Sequence, residues 1–206
     1  MIDPKTSNSN SFYSNIARFY DFGLWFFGYK LAVYYFIGLL PFKKQDAFKV
    51  LDAGCGTGLY TLAILRRFPN ASVEAFDLNN AMTEIMKITA RRKKLGQHAS
   101  IFNGDVTKTL KLESEQFDLI VTGGVLEYID NIEIAVRNLA PYLKKGGYFL
   151  NTPVKDNWLG KIIAKLYRFS PHSHINNIKS FTSNGFFLVT ERSFPIIKEA
   201  HLFRKQ

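Results

Sequence analysis

The chain of 206 residues has one cysteine, Cys55. That excludes an internal disulfide framework and any cysteine-rich metal centre, and it fits a reducing, cytoplasmic setting. No run of His, Asp and Glu has a useful ligand spacing, so no resident metal is expected. The opening Met1-Ile2-Asp3-Pro4-Lys5 lacks the basic-then-apolar pattern of a secretory signal. No segment repeats. Acids are sparse: 17 Asp and Glu stand against 27 Lys and Arg, a net charge of +10. Such an excess suits nucleic acid or an anionic membrane surface, and it also occurs without a specific partner. Part of it has a local explanation. Arg91-Arg92-Lys93-Lys94 and Lys144-Lys145 each close an expected helix ahead of a glycine, where cations complement the helix dipole.

Long apolar runs are also scarce, with one exception, residues 22–40, which are crowded with Phe, Tyr, Trp and Leu. About 20 apolar residues are needed to span a bilayer. Lys30 stands near the middle of this run, at a cost of about 2.5–3.5 kcal/mol in a membrane. Its aromatics are spread along it rather than gathered at its ends. The run therefore reads as helices that pack on the domain as core and lid, or as a lid that also dips into a membrane interface. Before it, Phe12, Tyr13, Ile16, Phe19 and Tyr20 recur at helical spacing. Residues 1–44 are expected to form a tail and an aromatic helical lid. Residues 45–206, in a chain with 47% apolar residues, are expected to form one domain.

That domain is organised around Val50-Leu51-Asp52-Ala53-Gly54-Cys55-Gly56-Thr57-Gly58. A short apolar strand runs into glycines at every second position, and a helical pattern starts at Leu59. The turn lacks the third glycine of a dinucleotide fingerprint, because Leu59 or Thr61 stands where it would fall. It also lacks the Gly-Lys-Ser/Thr ending of a phosphate-binding loop. An acid, Asp52, precedes the glycines instead. The next expected strand, 72–77, ends on Asp77, where a carboxylate can accept both hydroxyls of a bound ribose. The alternative for Asp77 is an N-cap for the helix that follows.

The string from Leu51 to Gly58 resembles the first motif of class I S-adenosylmethionine (SAM)-dependent methyltransferases. The resemblance implies an α/β fold: three layers, doubly wound, with a mostly parallel seven-stranded sheet and an antiparallel last strand. The expected order fits it. Strands are read at 47–53, 72–77, 99–102, 117–122 and 148–152, with helices at 59–68, 80–94 and 131–144, the last ended by Gly146-Gly147. Helices at 157–169 and 173–184 follow, then strands at 185–192 and 197–204. Tyr20-Asp21 ahead of an apolar helix is similar to the ubiquinone/menaquinone C-methyltransferase group.

The resemblance further implies a SAM site made by Asp52, Gly54, Cys55, Gly56 and Gly58, with Asp77 and Leu78 at the ribose. Gly104-Asp105-Val106 looks like the adenine segment, Asp105 accepting from the exocyclic amine and Val106 packing on the ring. Thr122 and Gly123 open a fourth motif, Gly123-Gly124-Val125-Leu126-Glu127-Tyr128, which in related small-molecule and lipid enzymes often has His where Tyr128 stands. Enzymes that methylate exocyclic amines of nucleobases usually carry an Asn/Asp-Pro-Pro-aromatic motif there, and its absence disfavours a nucleic acid substrate.

Methyl transfer depends on alignment and exclusion of water more than on a dedicated base. Tyr20 is expected in the lid beside the cofactor, where a ring can face the cationic sulfonium. Tyr128, His172 and His174 are the remaining candidates for catalytic roles. The basic amphipathic helix at 157–169 has three readings: it caps the pocket, touches anionic lipid, or packs on the sheet. The expectation is an enzyme of the cytoplasm, or of the cytoplasmic membrane face, that methylates a small, apolar or lipid-like acceptor. RNA or protein methylation and a non-catalytic SAM-binding domain are the alternatives.

Overall fold

The computed structural model describes residues 29–110, 112, 116–194 and 198–206. Tyr20 and the rest of 12–28 lie outside the described residues. The first described element is α1, Tyr29–Ile37. Then come β1 (Lys49–Ala53), α2 (Leu59–Arg67), β2 (Ser72–Asp77), α3 (Asn80–Arg92), β3 (Ala99–Asn103) and β4 (Phe117–Thr122). They are followed by α4 (Ile132–Leu139), β5 (Leu143–Asn151), α5 (Trp158–Tyr167), α6 (His174–Thr182), β6 (Phe186–Phe194) and β7 (Lys198–Lys205).

The seven strands form one sheet in the order β3-β2-β1-β4-β5-β7-β6. β1 to β5 are parallel, and β7 runs antiparallel to both β5 and β6. Side chains alternate across a strand, so successive residues feed two cores. On one face Val50, Leu119, Val121, Leu150 and Leu202 pack with α1 and α2. On the other Leu51, Ile120, Phe149 and Phe203 pack with α4 and Phe181 of α6. This is the doubly wound, three-layer arrangement with an antiparallel last strand.

In α1, Tyr29, Ala32, Val33, Phe36 and Ile37 are buried, a stripe at the spacing of one helix face. Lys30, Leu31, Tyr34 and Tyr35 face outward. The helix lies on α2 and β7. No described helix is long and apolar enough to cross a membrane. Asn79, Asn131, Asn157 and Ser173 cap α3, α4, α5 and α6, each accepting a backbone N–H of the first turn. The cap of α3 is thus Asn79 and not Asp77.

One expected helix ends early. The segment 131–144 stops as an α-helix at Leu139, because Pro141 has no N–H to continue the helical hydrogen bonds. A short 3-10 turn, Ala140–Tyr142, bridges to β5, which already begins at Leu143. Gly146-Gly147 therefore end no helix. They belong to a bulge in which the β4–β5 register jumps from Phe117↔Leu143 to Leu119↔Tyr148. Lys144 complements no dipole; its Nζ lies 2.6 Å from Asp118 Oδ1. The cations after α3 do follow the expectation, with Arg91 and Arg92 in its last turn.

Candidate functional site

Every parallel strand ends on the same edge of the sheet, and that edge carries the glycine turn. The amides of Gly54 and Cys55 both reach Phe76 O, at 2.8 and 2.9 Å, tying the end of β1 to the end of β2. Gly54 has φ +81°, and a Cβ there would lie 2.3 Å from Val125 Cγ2, so the turn is pressed against the segment after β4. Gly56 has φ +53°, and a Cβ there would meet nothing within 4 Å. Its backbone borders open space, as a close approach to a ligand requires. Gly58 is the left-handed N-cap of α2. Cys55 is buried, and burial pushes its thiol well above the ordinary range; it fills space and is not poised to react.

The two acids divide the work. Asp52 is buried, and its Oδ2 accepts from Thr61 N (3.0 Å) and Thr61 Oγ1 (2.6 Å), fastening β1 to the first turn of α2. Its Oδ1 is buried with no hydrogen-bond partner. Burial raises its pKa to about 6, against the two Thr61 bonds, with a smaller upward push from Asp77. Asp77 stands beside the open glycine: its Oδ2 accepts from Gly56 N (2.8 Å) and its Oδ1 from Asn79 N (2.9 Å). Burial raises its pKa too, while the amides of Asn79, Gly56 and Leu78 oppose the shift. Leu78 follows with its side chain half exposed. Gly104 N donates to Asp77 O, which brings the 104–106 segment to the same edge. Asp105 Oδ1 accepts from both donors of Thr107, and Val106 is buried against the second core.

Residues 50–147 match the family described as Methyltransferase domain. Over 122 residues the chain is 32% identical to the malonyl-[acyl-carrier protein] O-methyltransferase of Halalkalibacterium halodurans, covering 55% of this chain and 43% of that protein. Over 127 residues it is 34% identical to the demethylmenaquinone methyltransferase of Leptospira interrogans, covering 58% and 49%. The matches thus span about half the length of these relatives. Among solved structures, geranyl diphosphate C-methyltransferase of Streptomyces coelicolor has the same fold, with a TM-score of 0.73 at 14% identity over 85% of this chain and 80% of that one. Residues 50–147 are a methyltransferase domain, and the fold around them is that of class I SAM-dependent methyltransferases. SAM is the cofactor of this family, and the domain's turn fits it: Gly56 leaves room for a ligand beside Asp77, and Asp52 Oδ1 is an unused buried acceptor.

Across from the turn, at the ends of β4 and β5, the methyltransferase domain holds a second polar group of residues. Thr122 Oγ1 donates to Asn151 Oδ1 (3.0 Å), and Asn151 Nδ2 donates to Asn177 Oδ1 (3.2 Å), so Thr122 is spent on a buried chain of hydrogen bonds. Gly123 lies flat against the Tyr60 ring, and its carbonyl accepts from Tyr29 Oη at 3.4 Å. Lys198 Nζ donates to Thr152 O (3.1 Å) and lies 4.7 Å from the centre of the Tyr29 ring. Burial lowers the Lys198 pKa, and the charge of Glu127 counters this. Glu127 Oε1 accepts from Val154 N (2.6 Å), while its Oε2 is buried with no hydrogen-bond partner. Lys198 and Glu127, both buried, thus place an amine and a carboxyl group at this edge, across from the turn.

Of the proposed acid–base candidates, His172 places Nε2 2.9 Å from Ile129 O and 3.2 Å from Leu126 O; a nitrogen between two carbonyls donates, so this ring pins a loop. Tyr128 packs on Phe169, ring centres 5.4 Å apart. His174 belongs to another group, with Glu191 and Glu199. Sequence reasoning missed Lys198 and Glu127 as a pair. Glu127 stood inside the fourth motif, but Lys198 carries no local signal: it reaches this edge only because β7 runs backwards. A separate cleft at the amino ends of β2 and β3, lined by Glu74, Gln97 and His98, lies at the opposite end of the strands.

Proposed function

We propose that this chain is a SAM-dependent methyltransferase whose acceptor is small and apolar or lipid-like: a quinone, a phenol or a phospholipid headgroup. The observation that carries the reading is Asp77 at the end of β2, hydrogen-bonded to the one glycine of the turn that borders open space. In this reading Asp77 accepts from the ribose hydroxyls and Leu78 borders the adenosine. Gly104-Asp105-Val106 edges the base, and Asp52 holds the turn in shape through Thr61. Thr122 and Gly123 form the wall under the methionine portion. When bound, SAM supplies an electrophilic methyl group on a sulfonium. The chain's own part is to orient, to exclude water and to place charge.

Lys198 suits an acceptor that carries or develops negative charge, such as a phenolate, a carboxylate or a phosphate. Tyr29 covers it from α1, and Tyr20, nine residues earlier, is proposed to extend that cover over the cofactor. The two relatives named above act on an acidic acyl carrier substrate and on a quinone precursor by their names, and either chemistry suits such a cation beside apolar walls.

The lipid-like part of the reading has its own support in α5. Trp158, Ile162 and Leu166, one turn apart, are 71%, 56% and 57% exposed, with Lys161 and Lys165 beside them. Plain packing on the sheet would bury such a stripe. Apolar residues flanked by lysines suit an anionic lipid surface.

Calorimetric titration with SAM tests the cofactor site. One equivalent is expected per chain, with affinity at least about tenfold lower in Asp77→Ala, since a charge-assisted hydrogen bond is lost. Unchanged affinity in that variant removes the ribose assignment. Formation of S-adenosylhomocysteine with quinol, phenol or lipid extracts separates an enzyme from a domain that only binds SAM.

A further inference from the structure

Three side chains gather between β7 and α6, and the methyl-transfer reading uses none of them. Glu199 and His201 are two apart on one strand and so share a face. His174 comes from the first turn of α6 and lies over that face. His174 Nδ1 is 3.7 Å from Glu199 Oε1, and His201 Nε2 is 3.4 Å from the same oxygen. The two imidazole rings are 5.0 Å apart, edge to face. One ligand atom from each residue falls within 4.8 Å of the others. Glu199's burial pushes its pKa up, but the two histidines outweigh this and hold it below the ordinary value.

His201 decides what the group is for. It is 0% exposed, and neither ring nitrogen makes a well-directed hydrogen bond, Nε2 meeting only Glu199 Oε1 at 3.4 Å. A buried imidazole left so is costly, and an ordinary surface pair between His174 and a glutamate would not relieve it. A cation held between the rings and Glu199 would. His174 Nε2 lies 3.3 Å from Glu191 Oε2, which can accept a hydrogen bond from an Nε2–H and so leave Nδ1 free to ligate. Two neutral imidazoles and a carboxylate are the donor set of a zinc-type ion with one position open. Sequence spacing hid the site, because residue 174 meets 199 and 201 only after β7 has turned back along β5.

We propose that His174, Glu199 and His201 form a site for one divalent transition-metal ion of the zinc type, with Glu191 orienting His174. The ion joins α6 to β7, and the half-exposed His174 leaves its fourth position facing solvent. The site adjoins the acceptor edge, since His201 pairs with Asn151 at the end of β5.

The test uses the whole chain, stripped with a chelator and titrated with zinc chloride by calorimetry, and with cobalt(II) chloride by visible absorption. One equivalent of zinc is expected, and cobalt should give d–d bands shaped by nitrogen ligands. Ligand variants His174→Ala and Glu199→Gln should each weaken zinc about 100-fold or more and abolish the cobalt bands. Glu191→Gln should weaken it about tenfold, and His98→Ala should change nothing. His174 and Glu191 are exposed enough that their variants should fold, which circular dichroism checks. If the wild-type chain takes up no zinc, or if His174→Ala and Glu199→Gln bind it as the wild type does, the proposal is overturned.

Discussion

An added Cβ at Gly54 would sit 2.3 Å from Val125 Cγ2, whereas at Gly56 it would meet nothing of the protein within 4 Å. Substitution by alanine should separate these two roles. Gly54→Ala is expected to lose about 1–3 kcal/mol of stability through overpacking, read as a lower denaturation midpoint. Gly56→Ala should lose only about 1–2 kcal/mol, the cost of the left-handed backbone, yet weaken SAM more than stability, because its methyl group enters the cofactor's space. Asp52 gives a prediction in pH. Its carboxyl is raised from 3.8 to about 6, so the folded state holds the proton more tightly than the unfolded chain. Its contribution is fully present below pH 3.8 and is lost as pH rises through about 6, amounting to about 3 kcal/mol at most. Asp52→Asn keeps a carbonyl for Thr61 and cannot ionise, so urea titrations should show a flatter stability profile across that window. Lys198→Met should leave SAM affinity within about twofold of wild type while methyl transfer falls, if the ammonium serves the acceptor and not the cofactor.

At the scale of elements, α1 is as much core as cover. Phe36 is fully buried, and Phe36→Ala should cost about 3–5 kcal/mol by thermal or denaturant melting; a loosely attached lid would show no such loss. The sequence displayed this helix only as part of the apolar, aromatic run 22–40, read there as helices packed on the domain. It displayed β1, β2 and β4 through apolar runs closed by glycine or aspartate, and the glycine turn through spacing alone. Two features stayed hidden for physical reasons. The end of α4 was assigned to Gly146-Gly147, a familiar stop signal, although Pro141 stops the helix sooner and the glycines serve a bulge. The outward stripe of α5 has the same amphipathic pattern as a packed helix, since periodicity reports that a face is apolar and not what covers it. The acid–base candidates carry the least local signal. His172 and His174 are recognisable only as titratable residues, and their partners, two carbonyls and two glutamates, come from distant parts of the chain.

Over the whole molecule the net charge of +10 and the apolar stripe of α5 suit the same partner, an anionic lipid surface. Sedimentation with anionic liposomes should retain the chain, and Trp158→Ser with Ile162→Ser should release it while SAM binding stays intact. Retention that depends on charge alone would instead vanish at high salt and ignore these substitutions, as expected for RNA methylation. The strand order also sets where the molecule opens first. β6 has one neighbour, β7, and β7 is held to the parallel body by four pairs to β5, Tyr148 to Asn151. The hairpin thus forms one edge of the sheet, with the bridge Val154↔Lys198 adding to those four pairs. In deuterium exchange its outer amides, 186–194, should label well before those of β1 and β4. Because its inner strand carries Lys198, each opening also withdraws the buried ammonium from the acceptor edge, so the slowest-breathing form of the protein should also be the most competent one.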